Sequence, residues 1–312
     1  MISSFFNKTK PINYIILLTF IFVLYWVVHF FVFDKTYTPE QMLWQILILG
    51  VLLFGFFIVN FIVKRNKVAD SNSYTILFFA LLYLVFPEAM LDNNIIICNF
   101  FLLLGFRRLI SIRSLKNIKS KIFDATLWIV VSSIFYDWAI LFLLLVFMAI
   151  YMYEPKNFRN WLVPFTAIFA VAMIAYTVLI LANQTEFVLE HYKFSYSFDN
   201  DYLLKWGKSA KLFLYVISIS IVGLLSFLKL GKAGMGKVAT MRLIAVSFLL
   251  GLLMLMLAPT NNVYIIMVTF FPASVFLTKY IESINRPNIK EIVLMLTIFI
   301  PFMVFFAGLI LK

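Results

Sequence analysis

The chain has 312 residues, of which 64% are hydrophobic and only 13% charged. A soluble domain of this length is about 45–50% apolar and about 25% charged, so water is excluded as the main solvent. The net charge of +12 does not point to nucleic acid, because the basic residues sit at the ends of apolar runs and in alternate loops and form no continuous aromatic-interleaved groove.

Eleven apolar stretches follow one another: Ile12–Phe33, Met42–Val63, Tyr74–Phe86, Asn93–Phe106, Ile122–Tyr136, Trp138–Tyr153, Trp161–Ala182, Ala210–Leu228, Ala239–Leu257, Val263–Leu277 and Ile292–Leu311. A bilayer core about 30 Å thick takes roughly 20 apolar residues per helix. Eleven such spans use most of the chain. The expectation is therefore an all-α, multi-pass transmembrane helical bundle over residues 1–312, with no separate soluble domain. The first run follows Lys8 and Lys10. It is longer than a signal-peptide core and lacks a small-residue cleavage site, so it reads as an uncleaved first helix. The third to sixth runs are only 13–16 residues long. Short spans pack against other helices, thin the bilayer or belong to a recessed site.

Charge sets the orientation. With the N-terminus inside, 20 of the 26 basic residues fall on inward-facing segments, and 9 of the 14 acids fall outside. This is the bias that membrane insertion imposes. It predicts an N-in, C-out protein of the bacterial inner membrane. No internal repeat of fixed period is visible.

Two connecting segments stand out. In Arg107–Lys121, Leu109, Ile112, Leu115 and Ile118 recur every three residues between basic side chains. This predicts an interfacial amphipathic helix on the inner surface. Arg107, Arg108, Arg113, Lys116 and Lys119 would then anchor it or bind the head group of an anionic membrane lipid. The second segment is Asn183–Gly207, the longest outer loop. Its His191, Tyr192, Phe194, Tyr196, Phe198, Asp199, Asp201, Tyr202 and Trp206 suit an interfacial belt, a substrate-stacking lid or a docking loop for another envelope protein.

Several motifs carry little. Gly231–Lys237 has P-loop spacing, but Val238 stands where Ser or Thr would hold Mg²⁺ and no strand precedes it. It reads as a flexible basic connector. Cys98 is the only cysteine and lies in an apolar run, and only His29 and His191 exist. A cysteine–histidine zinc site is thereby excluded. Asn60, Asn99 and Asp124 are polar within spans, where polarity is costly. Asp124 is expected to pair with Lys121.

The acids of the outer face are the candidate site: Asp34 and Glu40 after the first span, Glu88 and Asp92 in the turn between two short spans, and Asp137 in the turn before Trp138. Carboxylates at a membrane edge can hold a divalent metal, act as a general base or bind sugar hydroxyls, or they can be plain solvated turn residues.

Two resemblances attach to these residues. Phe5–Pro11, Phe86–Glu88, Gly105–Arg108, Leu115–Asn117, Lys121–Asp124 and Asn160–Pro164 resemble a family of polytopic inner-membrane proteins of Bacteroidota, over most of the chain. Some of its members carry a beta-carotene monooxygenase label. Carotenoid cleavage oxygenases hold iron with four histidines, and this chain has two. Separately, the order of elements from Tyr74 to Ala175 is similar to the middle of GT-C-fold, polyprenyl-phosphate-dependent glycosyltransferases. That resemblance implies a polyprenyl-phosphate-linked sugar as substrate at the outer face, with an acid of the first outer loop, here Asp34 or Glu40, as the catalytic residue. The loop here is short, Asp34–Gln41. The competing expectations are a non-catalytic scaffold subunit of an envelope complex, and a lipid transporter or flippase with a midplane cavity lined by Asn60, Asn99 or His29.

The topology is directly testable. Reporters fused at Lys232 and Lys312 are separated by three predicted spans, and should report opposite sides of the membrane. Activity on the same side would reject the eleven-span arrangement.

Overall fold

A computed structural model of the chain describes residues 5–194, 206–229, 234–257 and 263–310. Among these the protein is all helix and contains no strand. The helices are α1 (Pro11–Val27), α2 (Pro39–Arg65), α3 (Tyr74–Val85), α4 (Asn93–Ser111), α5 (Ile118–Phe135), α6 (Leu143–Tyr153), α7 (Phe158–Leu181), α8 (Phe187–His191), α9 (Trp206–Leu228), α10 (Met235–Leu257), α11 (Phe270–Glu282) and α12 (Pro287–Ile310). Eight helical stretches are long and apolar enough to cross a membrane. The chain is therefore an integral, multi-pass membrane protein by helix length and hydropathy.

The other three predicted spans fall short for different reasons. α3 has 12 residues, about 18 Å of helix. The stretch Asp137–Tyr153 is also short, and begins with a six-residue 3₁₀ segment, Asp137–Phe142. α5 has 18 residues but carries Lys119, Lys121 and Asp124 near its start.

Burial sorts the helices. Every residue of α3 from Tyr74 to Leu84 is buried, so this short helix is wrapped by protein on all sides. It packs against α11, α12, α1 and α2. By contrast only 11% of the most apolar window of α12, and 17% of that of α7, is buried. Those helices form the rim, and their exposed phenylalanines and leucines meet lipid tails. Gly105 lets α4 approach α5 closely. A Cβ there would lie 3.1 Å from Ile129 Cγ1 and 3.2 Å from the Ala125 carbonyl oxygen, the small-residue packing expected between membrane helices.

Polar side chains knit the bundle together. The Tyr14 hydroxyl donates to Asn60 Oδ1, joining α1 to α2. Tyr25 donates to Gln45 at 2.6 Å. The Thr278 hydroxyl is already spent on the Ser274 carbonyl, so Thr75 is the donor in their 3.0 Å bond. Asn60 is thus a helix-to-helix tie. His29 is held similarly: its Nδ1 lies 2.8 Å from the Tyr25 carbonyl, inside a π-helical turn, Val28–Val32.

Contacts distant in sequence gather the connecting segments at two ends of the bundle. Asp70 and Asn72 bond Glu282, Lys229 bonds Ser283 and Arg113 reaches the Asn66 carbonyl, all between segments assigned to the inner side. Lys211 meets Glu88 and His191 meets Ser133, between segments that the charge pattern assigns to the other side.

The expected amphipathic surface helix over Arg107–Lys121 is not formed. α4 runs on to Ser111, a 3₁₀ turn covers Ile112–Ser114, and α5 begins at Ile118. Leu115 (φ 53°) and Asn117 (φ 50°) are left-handed and reverse the chain. Leu109 and Ile112 are fully buried in the bundle, whereas Leu115 is 57% exposed. The apolar spacing seals a helix end against protein; in a bilayer, protein-facing and lipid-facing apolar residues look alike. Asp124 also chooses a different partner: its carboxylate pairs with Arg108 at 2.9 Å, because Lys121 donates to the Ser111 carbonyl and Ser114 Oγ.

Gly105→Leu should force α4 and α5 apart, at a cost of about 1–3 kcal/mol. Gly308→Leu, at a position with nothing within 4 Å of an added Cβ, should leave stability unchanged. Thermal unfolding of the two purified variants in detergent measures the contrast; equal melting points would reject the close approach.

Candidate functional site on the outer face

Three of the five predicted acids share one end of the bundle. Glu88 sits in a 3₁₀ turn, Pro87–Met90, that follows the short buried α3. Asp92 is the N-cap of α4 and accepts from the backbone N–H groups of Asn94 (2.9 Å) and Ile95 (3.1 Å). Asp137 opens the Asp137–Phe142 segment and accepts from the Trp138 N–H at 2.8 Å. Two tyrosines link the three acids. Asp137 and Asp92 both act electrostatically on the Tyr136 hydroxyl, and Asp92 and Glu88 both act on that of Tyr264. The Tyr136 hydroxyl and Asn93 Oδ1 are buried without a hydrogen-bond partner among the described residues.

Lys211 enters this cluster from α9. Its ammonium lies 2.6 Å from Glu88 Oε1 and 4.9 Å from the centre of the Phe86 ring. Sequence reasoning placed Lys211 outside but gave it no role, since nothing local to α9 signals a partner 123 residues away. Thr269 Oγ1 donates to the Ile266 carbonyl, so the Tyr215 hydroxyl donates to it across 2.7 Å. That bond fixes the outer half of α9 against the 3₁₀ segment Val263–Thr269.

The described part of the predicted lid docks beside Asp137. His191 Nε2 lies 2.8 Å from the Ser133 carbonyl, an acceptor, so this nitrogen carries the proton. Ser133 Oγ is spent on the Val130 carbonyl, and the Tyr192 hydroxyl donates to it at 3.0 Å. Phe194 meets Trp138 edge-on, with ring centres 5.2 Å apart. His191 also acts electrostatically on Asp137. The stretch 195–205, with Tyr196, Phe198, Asp199, Asp201 and Tyr202, lies outside the described residues, as do the Trp206 side chain and positions 231–233 of the P-loop-like connector.

Asp34 and Glu40 stand apart. Asp34 is exposed with a left-handed backbone (φ 48°). Glu40 is exposed in the first turn of α2, behind the Thr38–Gln41 capping box. Among the described residues no ion pair or side-chain hydrogen bond joins either to the other three acids. The π turn Val28–Val32 that precedes them does pack against Pro87–Met90.

Among the described residues no three His, Cys, Asp or Glu come together to hold an ion. The reason is local: Glu88 is turned to Lys211, Asp92 to its helix N-terminus and Asp137 to the Trp138 amide. No family model, curated protein or solved structure matches this chain.

The Lys211–Glu88 pair holds α9 to the turn after α3, and both groups are mostly shielded, with 22% and 17% of their side chains exposed. Removing one partner strands the other charge. Lys211→Met should destabilise the protein by about 1–3 kcal/mol, and Lys211→Met combined with Glu88→Gln should recover part of that loss. Additive losses in thermal unfolding would show that the two side chains do not interact.

Proposed function

We infer that this is an eleven-pass protein of the bacterial inner membrane, N-in and C-out, whose outer face receives the head group of a polyprenyl-phosphate-linked sugar. The observation that carries the reading is the gathering of Glu88, Asp92 and Asp137: the segments Pro87–Met90 and Asp137–Phe142 both pack against α4, which Asp92 caps. Carboxylates accept hydrogen bonds from sugar hydroxyls, and aromatic faces such as Trp138 cover the apolar side of a sugar ring. The docked His191–Phe194 segment supports a lid over that site. In the stronger form of the proposal the arrangement is GT-C-like, and Asp34 or Glu40 at the first outer loop supplies the acid for transfer.

One observation favours a second reading. Glu88 and Asp92 already have structural partners, Lys211 and the α4 N-terminus. A scaffold subunit for an envelope complex needs no free carboxylate, and its acids would only hold turns together.

Binding separates the two. The full-length protein in nanodiscs should bind an undecaprenyl-phosphate-linked sugar, measured with radiolabelled lipid. Asp137→Asn should weaken that binding about tenfold, the worth of one hydrogen bond to a charged group. Asp34→Asn and Glu40→Gln should retain binding and lose any transfer to an acceptor. Absence of binding by the wild-type protein would reject the site and leave the scaffold as the better account.

A further inference from the structure

We propose that the inner face carries a second site, a basic cavity that binds a phosphate-bearing anion at the membrane edge. The cavity has a volume of 510 Å³ and is lined from three separate segments: the end of α2, the end of α4 with its 3₁₀ turn, and the start of α5. Six cationic side chains line it: Arg65, Lys67, Arg107, Arg108, Arg113 and Lys121. Arg108 is paired with Asp124. Among the described residues the other five are in no salt bridge, so about five positive charges converge on one space without a counter-ion from the protein.

Such convergence is costly unless something anionic relieves it. Screening by solvent would suffice for cations splayed over an open surface, but Arg107, Arg113 and Lys121 are anchored in place. Arg107 lies over the Phe61 ring at 4.7 Å. Arg113 reaches the Asn66 carbonyl and packs so closely on Gly236 that a Cβ there would fall 2.7 Å from Nε. Lys121 is tied to Ser111 and Ser114, which keeps at least one of its three N–H groups available. Pre-positioned guanidinium groups suit phosphate oxygens, which they can bond in pairs.

The location fixes the access route. Phe61, at the rim, is 45% exposed on a membrane-crossing helix. The cavity therefore opens where a lipid head group sits, and basic pockets between helices on the cytoplasmic side suit anionic head groups. Its volume also exceeds that of one inorganic phosphate, leaving room for a diphosphate or a phosphoglycerol group. Lys116 and Lys119, expected from sequence to share this role, are exposed and do not line the cavity.

The test uses the full-length protein in nanodiscs of phosphatidylcholine, with phosphatidic acid or phosphatidylglycerol added as a minority lipid and retained lipid counted by native mass spectrometry. The wild type should keep one anionic lipid. Arg65→Gln with Lys67→Gln, both exposed and low in folding risk, should weaken retention about tenfold or more, and Arg107→Gln should act in the same direction. Lys116→Gln with Lys119→Gln should match the wild type. In a second arm inorganic pyrophosphate is titrated, with a shift in melting temperature as readout. Pyrophosphate that stabilises the protein and displaces the lipid supports a soluble phosphate compound as the natural occupant; lipid retention that pyrophosphate leaves intact supports a membrane lipid. Absence of binding in both arms, or an equal loss in the Lys116 and Lys119 variant, overturns the proposal.

Discussion

Everything in this fold depends on keeping backbone polar groups away from hydrocarbon. A peptide N–H or C=O without a partner in a bilayer costs several kcal/mol, so lipid-facing backbone must be helical. The long helices of the rim obey this simply. Four departures from α-helix, at Val28–Val32, Pro87–Met90, Asp137–Phe142 and Val263–Thr269, lie at one end of the bundle and a fifth, Ile112–Ser114, at the other; all are packed against one another or against neighbouring helices. Protein stands in for solvent around them. That is why a helix as short as α3 survives: it meets side chains on every face, and the turn beyond it is free to carry Glu88 and to lead into the Asp92 cap.

The same constraint explains which polar residues inside the spans do local work. Asn60, Thr75, Gln45 and Tyr215 each find a side-chain partner on another helix. Such bonds contribute modestly, about 0.6–2 kcal/mol each, yet each removes a polar group that would otherwise face lipid. Asn60 is engaged with α1, whereas His29 bonds only the Tyr25 carbonyl of its own helix through Nδ1. The polar chemistry that remains is displaced to the two ends of the bundle, acidic and aromatic at one, basic at the other.

Much of this was legible in the sequence, and the reason is that charge and hydropathy are read by the membrane itself. Lys64, Arg107, Lys156 and Lys229 mark helix ends without any knowledge of packing. The gathering of Glu88, Asp92 and Asp137 was legible for a similar reason, since tight turns between short spans must lie at one surface. What failed was the reading of Leu109 and Ile112. A three-residue apolar spacing beside arginines describes a surface helix and a sealed helix end equally well, and only the left-handed turn at Leu115 and Asn117 distinguishes them. Lys211 and Lys121 were missed because their partners are set by tertiary contact, which leaves no local mark.

The break at Leu115–Asn117 also has a positive consequence. Had Arg107–Lys121 continued as one surface helix, its basic side chains would have spread along the head-group layer, each screened separately within a Debye length of about 8 Å. Ending α4 at Ser111 and turning the chain sharply instead folds Arg107, Arg108, Arg113 and Lys121 back toward Arg65 and Lys67 at the end of α2. Charges that would satisfy the positive-inside bias as a diffuse belt become a concentrated one with a defined shape. The insertion rule needs only that these residues stay inside; it does not ask that they share a cavity. Their convergence is therefore a property of the fold over and above topology.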